Sequence, residues 1–206
     1  MDNEYAVGRV ATGFSYPVVG LYSSNGGAVT ISGAMVLARG VGVDININTA
    51  SENEFYADNA LAESENSIFE SGTLKLTVDG LFDAAERLIS GQAEPAEVTY
   101  GESKVKLTKY SADAEPPYIA VGVIVEYKSN GKRIYVPTTI VKTKFKPTGT
   151  SVQTRGKTTS WQTQDLEATI HRADDAEHNW KWVGEDFPTE AEAKAVLNAI
   201  FGLAEA

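Results

Sequence analysis

The chain has 206 residues, carries a formal net charge of −10 and contains no cysteine. A chain of this length builds a core of its own, and without thiols it does so with neither disulfides nor thiolate metal sites. The acidic balance speaks against a general nucleic-acid binder, which needs a surplus of Lys and Arg on some face. The longest strongly apolar run, Tyr118 to Val125, has eight residues and is far short of a bilayer.

Met1-Asp2-Asn3-Glu4 is acidic and leads into no apolar run of signal-peptide length, so synthesis in the cytoplasm is expected. Strand signals come next. Val41, Val43, Ile45 and Ile47 alternate with Gly42, Asp44, Asn46 and Asn48, the period of two that a half-buried strand requires. Leu74, Leu76 and Val78 repeat the pattern against Thr73, Lys75 and Thr77. Leu81, Phe82, Ala85, Leu88 and Ile89 recur at helical spacing, and Gly91 stands where a left-handed residue would end a short helix. Weaker strand signals lie at Val98 to Tyr100 and Lys104 to Tyr110.

Ile119, Val121, Val123, Val125 and Tyr127 share one side of a central strand that ends at Asn130-Gly131, a type I′ hairpin signal. The return strand from Arg133 is expected to be broken, bulged or at an edge at Pro137, which cannot donate a ladder hydrogen bond, and to resume through Val141, Thr143 and Phe145. A polar stretch from 146 to 160 precedes a last strand marked by Leu166, Ala168 and Ile170. Thr189 with Glu192 makes a capping box, after which Ala193, Val196, Leu197, Ile200 and Phe201 form one apolar stripe that Gly202 closes. Such a stripe needs a partner surface, either the outside of the sandwich or a neighbouring subunit. The expected fold is all-β, an antiparallel β-sandwich or partly closed barrel, with one short internal helix and a C-terminal helix over 189–201. Its expected organisation is a domain over 1–170 with a long polar loop at 146–160, and a C-terminal extension over 171–206.

Motifs for chemistry are poor. Gly156-Lys157-Thr158-Thr159 looks like the end of a phosphate-binding loop, but Ser151 stands where the first glycine must be and no helix follows. His171, Asp174, Asp175, Glu177 and His178 are metal-binding residue types without metal-ligand spacing, and read as a solvated loop. Ser129 and Lys132 bracket the Asn-Gly turn, where nothing buries the lysine. Trp161, Trp180 and Trp182 would suit a sugar-stacking platform, although packing of the tryptophans beneath the C-terminal helix is the reading preferred. No enzyme, metal site or cofactor is expected.

The order of these features resembles the major tail tube proteins of long-tailed, siphovirus-type bacteriophages of Gram-positive hosts. Phe55-Tyr56-Ala57-Asp58-Asn59 is similar to a recurrent segment after an early strand of that family, and Ser71-Gly72-Thr73-Leu74-Lys75-Leu76 to its Gly-x-Leu-x-Leu strand with a short helix following. The hairpin from Val121 through Gly131 to Val136, and the closing strand Gln164 to Ile170, complete a likeness spanning about residues 20 to 170. The resemblance implies a structural virion protein: a homo-oligomeric, usually hexameric ring, stacked into a tube that conducts DNA into the host without binding it specifically. It implies tape-measure, terminator and distal tail proteins as partners, no membrane, and a virion location after synthesis in the host cytoplasm. A carbohydrate- or protein-binding β-sandwich module is the alternative.

Charge is segregated along the chain. From Asp44 to Glu70 there are seven acids and no base; from Lys128 to Lys157 there are eight bases and no acid. Complementary segments of this kind serve either as two solvated faces or as docking surfaces between copies. On the second reading Lys142, Lys144, Lys146, Arg155 and Lys157 meet Glu52, Glu54, Asp58, Glu63 and Glu65 of a neighbour, and the 146–160 loop is mobile until it does so.

Overall fold

A computed structural model describes residues 8–50, 54–57, 60–64, 68–154 and 161–204. The fold is all-β, with two helices among the described residues. Two strands open the fold, β1 (Val10–Asn25) and β2 (Ala28–Val36), joined by a two-residue turn at Gly26 and Gly27 with φ of 59° and 86°. Both values lie in the region where glycine is unhindered, and the twist of such a turn suits paired strands. After three residues β3 (Gly40–Thr49) begins, followed by the short hairpin β4 (Glu54–Ala57) and β5 (Ala60–Ser64), then β6 (Phe69–Val78). The helix α1 (Asp83–Ser90) ends on Gly91 at φ 68°. Next come the hairpin β7 (Ala96–Tyr100) and β8 (Ser103–Leu107), the long pair β9 (Tyr118–Ser129) and β10 (Lys132–Phe145), β11 (Gln164–His171), β12 (Lys181–Val183) and α2 (Glu190–Phe201).

One sheet runs in the order β2-β1-β9-β10-β11-β6-β3, antiparallel throughout, with β12 also paired to β10. It bends at the junction of β10 with β11, where only Lys142 to Phe145 are paired. Beyond that corner β11, β6 and β3 fold back as a second layer. Val19, Leu37, Leu74, Leu76, Ile119, Val121, Ile140, Phe145, Leu166 and Ile170 fill the space between the layers, and Ala85 and Ile89 of α1 pack into the same core. A carbon added at Gly40 would lie 2.4 Å from the Phe14 ring, so β1 closes on the start of β3 and the sandwich is partly a barrel.

Asn130 and Gly131 form the expected turn with φ of 48° and 77°. Pro137, however, does not break β10. The Pro137 carbonyl accepts from the Gly184 amide at 2.8 Å, and its missing N–H lies on that same side, in the gap between the Tyr135 to Phe187 bridge and the first pair with β12. The pairing to β9 therefore passes Pro137 intact, and the irregularity falls later, between Ile140 and Thr143.

The boundary expected at residue 170 falls at the end of β11, but the chain beyond it rejoins the sheet. β12 pairs with Thr138 to Ile140, then the Thr189 side chain accepts from the Glu192 amide while the Glu192 carboxylate accepts from the Thr189 amide. The helix so started lies on the outside of β1, β2, β9 and β10. Ala193, Leu197 and Phe201 there meet Val18, Ala120 and Ile124 in a second core, so the outside of the sandwich is the partner of the apolar stripe. Strands β1 and β9 are consequently buried on both faces along Val18-Val19 and Ile119 to Ile124.

Candidate assembly surfaces

Among the described residues the two ends of the sheet are open. β2 spans nine residues without a charge and β3 spans ten with Asp44 alone. Sheet edges normally carry lysines, prolines or bulges that stop them pairing with another chain. Each edge strand has a bulge, near Gly33 in β2 and at Val41 in β3, but neither carries a lysine or a proline, and Val36 at 42% exposed and Val41 at 57% stand on these edges. Each edge therefore offers a ladder of backbone donors and acceptors with little to repel a partner strand.

The outer face of the second layer has the opposite character. Register aligns Asp44, Lys75 and Glu167 in one row, Asn46, Thr73 and Thr169 in the next, and Gly42, Thr77 and Asp165 in a third. Thr77 donates to Asp165 at 2.7 Å, and Lys146 pairs with Glu167, whose carboxyl that hydrogen bond holds below its usual range. No apolar side chain interrupts these rows.

The basic end of β10 divides its lysines. Lys142 is engaged within its own chain: its Nζ lies 2.7 and 2.9 Å from the Asp174 carboxylate and 4.5 Å from the centre of the Tyr118 ring. Its side chain is 11% exposed. Tyr22 donates to Asp174 at 3.0 Å and accepts from the Asp174 amide at 2.9 Å, so one carboxylate fastens the loop after β11 to β1 and β10 together. This explains Lys142 by the fold rather than by a neighbouring copy. Lys144 lies 5.7 Å from the Tyr118 ring and stays half-buried, while Lys146 remains 58% exposed beside Glu167. Glu54 and Glu63 fall in β4 and β5. Glu52, Asp58, Glu65, Arg155 and Lys157 lie outside the described residues, and Lys146 to Thr154 carry no regular element.

This cluster makes stability depend on acid in two steps. The Lys142 hydrogen bond holds the Asp174 carboxyl below its ordinary 3.8. Burial, with the charges of Lys142 and Lys144, pushes His171 below its ordinary 6.5. Both groups bind protons more readily unfolded, so stability is complete above the unfolded pKa and is lost as pH falls through the folded one. We expect the melting temperature to begin falling below pH 6.5 and to fall again below pH 4.5, where Glu167 beside Lys146 contributes first and Asp174 and Asp79 beside Arg39 follow below pH 3.8. His171→Gln should flatten the first limb and keep the second; an unchanged upper limb in thermal melts would refute the assignment.

The loop itself is a closed turn. Asp175 accepts from the Asn179 amide and side chain at 2.9 and 2.8 Å, and His178, at φ 57°, places Nδ1 3.2 Å from the Ala173 carbonyl. Among the described residues no group of His, Asp and Glu is placed to hold a metal ion. Trp180 stacks on Phe69 at 5.1 Å and packs against the main core, rather than beneath α2. One face of it is thus covered, which removes half of the platform that Trp180 and Trp182 would make. Trp161 is 89% exposed.

The strand signals did not mark the open edge at β2, although the absence of any charge from residues 10 to 36 hinted at it. No family model and no curated protein matches the chain. Among the described residues no helix is long and apolar enough to cross a membrane.

Proposed function

We propose that the chain is the major tail tube subunit of a long-tailed bacteriophage, which assembles with itself into stacked rings around a conduit for DNA. The observation that carries the reading is the pair of open, nearly uncharged edges, β2 and β3, at opposite ends of one sheet. Pairing of one edge with the other edge of the next copy is a heterologous contact, and such a contact generates a ring when the rotation closes. The resemblance of the segments around Tyr56, Leu74, Gly131 and Leu166 to the tail tube family points the same way. The polar rows on β3, β6 and β11 suit a conduit wall: they carry Asp44, Asp165 and Glu167 against Lys75 and offer no aromatic for bases to stack on. Tape-measure, terminator and distal tail proteins are the partners this reading implies, and the virion its location.

Electron microscopy of the concentrated purified protein tests the proposal. Regular rings or tubes are expected; a strictly monomeric chain sinks it. Stacking along the axis is assigned to the opposed charges of the 146–160 and 52–70 segments. Because exposed ion pairs contribute only about 0.2–1 kcal/mol each, several must act together and salt weakens them. Replacing Arg155 and Lys157 with Glu should leave the melting temperature of the subunit nearly unchanged and prevent tubes while rings persist. Tubes of normal length from that double variant, at low and moderate salt alike, would remove the loop from the interface.

A further inference from the structure

Among the described residues the hairpin of β7 and β8 pairs with no other strand. Its register sets Val98 opposite Val105 and Ala96 opposite Leu107 on one face, with Tyr100 at the end of the same row, while Glu97, Thr99, Lys104 and Lys106 occupy the other face. Val98, Tyr100, Val105 and Leu107 are 40%, 78%, 45% and 51% exposed. The polar face is orderly, with Lys104 and Glu97 paired at 2.9 Å. The apolar face stands open to solvent.

The root of this ribbon is held firmly. Glu94 accepts from Arg87 at 2.6 Å, Thr108 donates to Asp83 at 2.8 Å, and the Ser111 amide donates to Gln92 at 2.9 Å, so both ends are tied to α1 or the turn after it. Helix α1 is itself fixed through Ala85 and Ile89. A stiffly mounted two-stranded ribbon reaches about 17 Å at five residues per strand. Such a ribbon is marginal in water by itself, and a row of exposed apolar side chains along it marks a contact surface.

We infer that this ribbon is an assembly arm whose apolar face lies on a second copy of the chain. Charge permits that occupant: the stretch from Ala96 to Lys109 holds Lys104, Lys106 and Lys109 against Glu97 and Glu102, one more base than acid, in a chain whose net charge is −10, so the arm meets no net repulsion from another copy. Area selects it. Four exposed side chains supply far less than the roughly 800 Å² per partner of a stable interface. The arm therefore adds to a contact that already exists, as between copies joined at their sheet edges, instead of capturing a free partner. The inference rests on the tail tube reading for that existing contact.

The variant Val98→Thr, Tyr100→Thr, Leu107→Thr keeps strong strand formers in the ribbon and removes its apolar face. Sedimentation of the full chain should show assembly shifted to about tenfold higher concentration, with an unchanged melting temperature. Hydrogen exchange of the Ala96 to Leu107 amides in the wild type should slow by at least about tenfold on assembly. If the wild type assembles and the triple variant assembles equally well, with ribbon amides exchanging as in the dilute protein, the arm is overturned and the tube reading stands. A wild-type chain that remains monomeric throughout overturns both.

Discussion

Replacing Phe201 with alanine is expected to lower the unfolding free energy by about 3–5 kcal/mol, the range for deleting a buried aromatic ring and leaving its cavity. The residue is 1% exposed. Its ring lies on two strands at positions that carry no side chain: a carbon added at Gly20 would come 3.3 Å from it, and one at Gly122 would come 2.6 Å. Those glycines make the hollow that the ring fills, so the neighbouring backbone has little freedom to collapse into the space. At about 2–4 °C per kcal/mol for a chain of this size, the melting temperature should fall by about 10 °C. Far-ultraviolet circular dichroism should still report the strands, because the core between the layers does not contain Phe201. A fall of less than about 2 °C would show that the ring contributes little.

The reverse change at the same place is the second large effect. Gly122→Val puts a branched side chain 2.6 Å from the Phe201 ring and 2.7 Å from a Val18 methyl, which forces one of them to move. Overpacking of this kind costs about 1–3 kcal/mol, and more where, as here, both neighbours are fully buried. Together with Phe201→Ala the substitution should be tolerated, since the new side chain occupies part of the vacated space. The two changes should therefore be less than additive by about 0.5–3 kcal/mol in urea unfolding. Simple additivity would mean that the hollow and the ring are independent.

Much of the fold was legible because single faces were buried. β6 carries Leu74, Leu76 and Val78 inward and Thr73, Lys75 and Thr77 outward, so its period was plain. Local chemistry fixed the turn at Asn130-Gly131, the end of α1 at Gly91, and the start of α2 at Thr189. β1 left no such trace. Val18 faces α2 while Val19 faces the main core, and the register slips between Ala11 and Gly13 and again between Ser15 and Val18, so its apolar residues keep no fixed period. The three residues of β12 are too few to show a period at all.

The candidate surfaces were harder to read, because a row of like charges in sequence says nothing about what each side chain touches. Lys142, Lys144 and Lys146 alternate along one strand and its end, yet Asp174, 32 residues from Lys142, claims the first of them. The open edges of β2 and β3 depend on which strand lies at the end of the sheet, a property of topology that no local signal contains.

The position of α2 also sets an order of events during synthesis. Every strand it covers is made before it: β1 and β2 come first and β9 and β10 later, so a growing chain presents Val18, Ala120 and Ile124 bare until residues 190 to 201 leave the ribosome. Domains fold as the chain emerges, at about 5–20 residues per second. A nascent chain whose strands pair as they emerge thus keeps that outer face uncovered for on the order of seconds. The capping box at Thr189, which satisfies the first amides of α2 from within the chain, favours the helix as soon as residues 190 to 201 can pack on that face.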